Sequence, residues 1–305
     1  MKSFTAVVKK QYLSSAILLA LAVFGLAGTA RGDEALFGYL YTTDTMPADH
    51  WEYEQWNTAR EGKARGNYFA FDLRNEFEYG VTDRFSASLY LNSTYIYTND
   101  VYDSENYAMN LPDQSAFDVN GMSVELRYRL LSPYTDGFGL ALYMEPEVAV
   151  RDNMTGLEES ERELEFRVIL QKNFMDDLLV VASNFMLEPE WETMEGMYAK
   201  ELWAELTLGG SYRFAPNWYA GLEFRNHMEF TDMDLNQQQH SAYFFGPNIH
   251  YGTQKWWWTL TILPQIVGWP RDLGIGADGQ DISDYSRHLG EHEKIEARFK
   301  FGVNI

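Results

Sequence analysis

From about residue 50 onward, apolar and polar side chains alternate with a period of two, in runs of roughly 10 to 15 residues bounded by turn chemistry. Within residues 119–130, Met122, Val124, Leu126, Tyr128 and Leu130 fall on one side, and Ser123, Glu125, Arg127 and Arg129 on the other. Successive side chains of a strand point to opposite faces, so such a strand has one greasy wall and one charged wall. Phe69, Phe71, Leu73 and Phe77 oppose Asp72, Arg74, Glu76 and Glu78 in the same way. So do Leu164, Phe166, Val168 and Leu170 against Glu163, Glu165 and Arg167, and Phe299, Phe301 and Val303 against Arg298 and Lys300.

The runs predict twelve strands, near 50–60, 67–79, 84–97, 118–131, 138–150, 161–173, 178–190, 201–214, 218–231, 240–251, 256–268 and 291–305. Short turns at 80–83, 132–137, 174–177, 215–217 and 252–255 are expected to alternate with longer, acidic loops. An even number of antiparallel strands with that alternation is the arrangement of bacterial outer-membrane proteins. The expected fold is therefore all-β, a transmembrane antiparallel up-and-down β-barrel of about 12 strands, spanning residues 50–305. Aromatic pairs bracket the short turns: Tyr79 and Phe85, Tyr134 and Phe138, Phe214 and Trp218, Tyr251 and Trp256. They are the expected periplasmic girdle, with Phe69, Tyr95, Tyr97, Phe230 and Tyr243 at the outer rim.

Ahead of the strands, Lys2, Lys9 and Lys10, the apolar run Ala16 to Leu26 and the small residues Gly28 and Ala30 form a Sec signal peptide over residues 1–30. Residues 31–49 are expected to be a periplasmic or lumen-packed extension, because counting the alternating stretch 35–43 as a strand would make the number odd. Without the three leader lysines, 21 bases face 45 acids, a net charge of −24 that repels nucleic acid. The 305 residues hold no Cys, which excludes disulfides and thiolate chemistry, while 20 Tyr, 19 Phe and 9 Trp suit membrane-facing strands.

If the apolar walls meet lipid, the charged walls line the interior. Glu125, Arg127, Arg129, Glu145, Glu147, Glu163, Glu165 and Arg167 come from three neighbouring strands and are the candidate selectivity residues. They either hold the wall together as ion pairs or form a charged path for a small polar solute. Twelve strands enclose less than a wide diffusion pore. No Gly-x-Ser-x-Gly elbow occurs, His240 and Ser241 point to opposite faces, and His227 and His250 read as wall residues, so the chain is not expected to be an enzyme. Asp278, Asp281 and Asp284 lack the order of a calcium loop, and neither metal nor cofactor is expected.

The run Gly38-Tyr39-Leu40-Tyr41-Thr42-Thr43-Asp44-Thr45-Met46-Pro47, with Trp51-Glu52-Tyr53-Glu54-Gln55-Trp56, resembles the start of uncharacterised Gram-negative outer-membrane barrel proteins of the kind grouped with the "MetA-pathway of phenol degradation" channels. Residues 71–80 and Thr82-Asp83-Arg84-Phe85 are similar to their first full hairpin. The resemblance covers about a quarter of the chain beyond the leader and implies a barrel with a transport role. The last strand, Glu296 to Ile305, resembles the signal strand read by the barrel-assembly machinery, with Ile305 where Phe is usual. Outer-membrane lipid, that machinery and a small solute are the expected partners. Three functions stay open: a narrow channel or uptake barrel, a closed structural or adhesive barrel, and a barrel enzyme acting on lipid.

Overall fold

The computed structural model describes residues 35–102, 111–194, 196–269 and 286–305. The expected signal peptide (1–30) and the acids Asp278, Asp281 and Asp284 lie outside the described residues. Twelve strands follow one another: β1 (Trp51–Glu61), β2 (Arg65–Thr82), β3 (Phe85–Tyr102), β4 (Gln114–Leu131), β5 (Gly139–Arg151), β6 (Glu158–Phe174), β7 (Leu179–Met194), β8 (Met197–Ala215), β9 (Trp218–Thr231), β10 (Gln238–Gly252), β11 (Trp256–Trp269) and β12 (Ile295–Asn304). Each pairs antiparallel with its neighbours in sequence, and β1 pairs with β12 from Glu52↔Asn304 to Glu61↔Ile295, closing the barrel. Closure leaves no strand edge unpaired. The rim where β1 begins and β12 ends carries the turns joining even to odd strands; we call it the turn rim, and the opposite one the loop rim.

The walls face as the alternation requires. Leu89, Val124, Leu142, Val168, Leu206, Leu222 and Ile262 point outward with 38–54% of their surface exposed, whereas Glu76, Glu125, Arg127, Glu145, Glu205, Glu223, Glu296 and Lys300 point inward and are buried. A water-soluble fold has the reverse distribution. In detergent the protein is expected to give β-rich circular dichroism and to migrate faster on a denaturing gel before boiling than after it. A species that stays soluble and monomeric without detergent would contradict this inside-out arrangement.

Two expectations about the connections need correction. Strands β7 and β8 run past the expected ends at 190 and 201 to pair Met194 with Met197, leaving no long loop between them. The joint at 62–64 is only one residue longer. Strict alternation of short turns and long loops therefore fails, because polar side chains do not stop backbone N–H and C=O groups from pairing when the neighbouring strand continues alongside. Conversely, β12 starts at Ile295 instead of 291, because residues 286–294 fold into the barrel mouth.

Candidate functional site

Residues 35–46 lie inside the turn-rim third of the barrel. The backbone N–H groups of Gly38 and Tyr39 donate to the two carboxylate oxygens of Glu223 at 2.8 and 2.9 Å. Tyr41 exchanges two hydrogen bonds with the Asn184 side chain, and Thr43 N–H donates to Gln171 Oε1 at 2.8 Å. Arg298 and Arg127 donate to the carbonyls of Gly38 and Asp44. Strand side chains thus satisfy the segment's polar groups as an added strand would, without a ladder.

Its apolar side chains fill matching patches. Leu36, Phe37 and Leu40 pack on Val180 and Ala182; Tyr39 on Ala242, Phe244 and Leu263; Tyr41 on Ala141, Tyr143 and Ile169. A Cβ on Gly38 would stand 2.6 Å from Thr261, and one on Gly80 would stand 1.9 Å from the Pro47 carbonyl oxygen. The segment passes the wall too closely there for any larger residue.

Above this plug is a cavity of about 320 Å³ whose lining includes thirteen carboxylates and five guanidiniums. The two plug tyrosines sit under its cations: Tyr39 beneath Arg298 at 4.0 Å and Arg225 at 5.3 Å, Tyr41 beneath Arg167 at 5.1 Å. An ion-pair ladder crosses the lumen. Arg167 bonds Glu165 and Glu205, and Arg225 bonds Glu205 at 2.5 Å and reaches Glu296 of β12 at 2.9 Å. Arg74 of β2 pairs with Glu145. With both signs matched and hydrogen-bonded, these groups tolerate burial.

The next level of the same wall, toward the loop rim, is not matched. Glu147, Glu163, Glu190 and Glu201 stand directly opposite one another across β5, β6, β7 and β8. Like charges in that position repel. Oxygens of Glu161, Glu163 and Glu190 all lie within 4.8 Å of one another, a spacing that suits an oxygen-liganded cation. Asn92 donates to Glu147 and Trp203 to Glu190, both at 2.8 Å, and no Arg or Lys of the described residues makes an ion pair with Glu147, Glu161, Glu163 or Glu190.

Residues 286–294 bound the cavity at the loop rim. Glu293 pairs with Arg60 and Lys63, each at 3.3 Å, and the Gln265 side chain donates to the carbonyls of His288 and Glu293. His240 contacts Glu229 at 2.5 Å on one ring nitrogen and His292 at 3.2 Å on the other.

The candidate selectivity residues therefore occupy two levels. Glu145, Glu147, Glu163, Glu165 and Arg167 line the cavity. Glu125 and Arg127 pair with each other beside the plug, and Arg129 lies at the turn rim against Asp83 and Asp44. Pairing runs along a strand or to β2 and β8 rather than among the three strands that carry the candidates.

Of the bracketing aromatics, Phe214, Trp218, Tyr251 and Trp256 form a run of rings 4.8–6.4 Å apart that continues to Phe301 at 6.5 Å. Tyr79 packs on Trp51 at 4.5 Å and Phe85 on Tyr128, while Tyr134 and Phe138 are exposed at the same rim.

The alternation singles out neither Arg60, Glu188, Glu190 and Glu293 nor the pairing of Glu229 with His240. One signal was present: Ala141, Tyr143, Ile169, Val180 and Ala182 face inward yet are apolar, marking where a greasy segment must lie.

One protein family, described as a family of unknown function and designated DUF6662, has a model that matches residues 29–305. The chain belongs to this family. No curated protein sequence matches this DUF6662 member. Among solved structures it is similar to the COG4313 outer membrane channel from Pseudomonas putida F1, at 11% identity and a TM-score of 0.55, covering 86% of this chain and 98% of that one. The NanC porin follows at 11% identity and TM-score 0.47, covering 83% and 98%. The translocator domain of the autotransporter NalP from Neisseria meningitidis follows at 10% identity and 0.46, covering 99% and 98%. At 11% identity the likeness to the first channel shows a shared fold, that of an outer-membrane barrel.

Proposed function

We propose that this DUF6662 protein is a plugged outer-membrane uptake barrel for a small solute that carries positive charge. Its outward apolar face sits in lipid, and the ring run at the turn rim lies at the periplasmic interface. The observation that carries the reading is the in-register row Glu147, Glu163, Glu190 and Glu201, whose first three members line the cavity next to the ion-pair ladder, on the loop-rim side of it. A row of like charges on adjacent strands is unfavourable until a cation joins it, so its retention in the wall fits a binding surface better than a strut. The matched charges support the cavity; the unmatched ones are free to engage a guest.

Planar-bilayer recordings under a salt gradient test this. Introduced into a chain lacking residues 35–46, the double substitution Glu163→Gln and Glu190→Gln is expected to move the reversal potential toward zero, a loss of cation preference, while heat-modifiable migration is retained. Conductance with an unchanged reversal potential would make the row structural. The plug favours a second reading, a closed barrel that conducts nothing; silence in the wild type and in a chain lacking residues 35–46 would decide for it.

A further inference from the structure

Four of the chain's six histidines meet at the loop rim, next to the acid row through Trp203, which donates to Glu190. His240 of β10 stacks on His288 at 4.6 Å between ring centres and meets His292 edge-on at 5.0 Å. His227 of β9 lies 5.4 Å from His292, and His288 lies 5.8 Å from it. Trp203 packs against His227 at 4.7 Å and, with Phe244, walls the cluster with apolar surface.

We propose that this cluster is a binding site for a borderline divalent transition-metal ion of the zinc, cobalt and nickel class. The His240 and His292 ring nitrogens face each other at 3.2 Å. Two imidazole ligands on one tetrahedral zinc, each about 2.05 Å from the metal, have nitrogens about 3.3 Å apart, so the pair already has the separation of two ligands sharing an ion. Glu229 accepts a hydrogen bond from the other nitrogen of His240 at 2.5 Å. A carboxylate on the far nitrogen is the outer-shell arrangement that fixes the tautomer of a ligating histidine and raises its basicity, with the lone pair turned toward the metal. In His292 the proton moves to the opposite ring nitrogen when the facing one is taken up, and no charge is stranded. His288, stacked on His240, and His227, 5.4 Å from His292, border the pair.

The site joins two parts of the chain that the sheet does not connect: His227 and His240 belong to β9 and β10, whereas His288 and His292 belong to residues 286–294. A bound ion would fasten that segment across the mouth of the cavity. Imidazole donors, and the apolar packing around them, favour this metal class over calcium or magnesium, which take oxygen ligands.

Untagged barrel in detergent, stripped with chelator and titrated with Co2+, tests the proposal. One ion per chain with the visible absorption of imidazole-bound cobalt is expected, displaced by Zn2+. His292→Ala lies outside the strands and is expected to weaken binding at least tenfold with unchanged gel mobility; Glu229→Gln should weaken it by about 10- to 100-fold, the usual effect of losing an outer-shell partner. His50→Ala, at the turn rim, should bind as wild type. Absence of saturable binding, or binding indifferent to His292→Ala and His227→Ala, would overturn the site. Loss of the signal on Glu163→Gln alone would also overturn it and place the ion on the acid row.

Discussion

Glu223→Ala is expected to turn a quiet barrel into a conducting one. This one carboxylate accepts hydrogen bonds from the N–H groups of Gly38 and Tyr39, from Asn248 and from Thr261. The two plug bonds end on a charged acceptor, and such bonds are worth about 1.5–3 kcal/mol each. Losing both removes roughly 3–6 kcal/mol from the seated state, a shift of a hundredfold or more in the ratio of seated to released plug. Single-channel conductance should therefore rise from brief or absent openings to sustained ones, and a chain lacking residues 35–46 should reproduce the effect with the wall intact. If both remain as silent as the wild type, the segment is not the barrier. Arg167 and Arg225 have partners on Glu205 and Glu296 that involve neither Glu223 nor the plug, so the ladder is expected to survive.

Assembly, rather than conductance, should fail on Leu206→Arg or Val168→Arg. Both side chains point outward with 42% of their surface exposed. An arginine on the lipid face costs about 2–4 kcal/mol at the membrane midplane, a large fraction of the stability of an ordinary domain. Refolding into detergent or vesicles, followed by gel mobility before and after heating, is the measurement, and the heat-sensitive band should be lost or strongly reduced. Inward-facing Glu188→Gln is the control; it lines the cavity and should assemble as wild type. Equal damage from all three would mean that the faces are assigned wrongly. Arg167 would be a poor control despite facing the same way, because it bridges Glu165 and Glu205, and removing it leaves two buried carboxylates without their partner.

The barrel was legible because its signal is local. Leu164 to Leu170 announces a two-faced strand without reference to any other part of the chain, and twelve such runs close only one way. The plug was half legible: 35–43 alternates like a strand, but its partners Asn184, Gln171, Glu223 and Arg298 come from four different strands and become a receptor only once the barrel is round. The acid row depended on register, and nothing in the single strands says that Glu163 stands between Glu147 and Glu190. A register shift between Gln238 and His240 sets how His240 meets β9 and its partner Glu229, an irregularity that period-two counting passes over. Residues 286–294 have neither periodicity nor turn chemistry; what holds them is Glu293 against Arg60 and Lys63, far away in the chain.

The way the plug is held also sets the order in which the molecule can be built. Each hairpin joins strands close in sequence, so their pairing needs little loop closure and can form early. The plug's hydrogen bonds instead span 128 residues to Gln171, 185 to Glu223 and 260 to Arg298, although the segment precedes every strand. Its receptor is completed only by β12, the last strand, which must also pair with β1 to close the sheet. Residues 35–46 are thus among the first of the described residues to be synthesised and the last to find their place, and their burial marks the completion of the barrel.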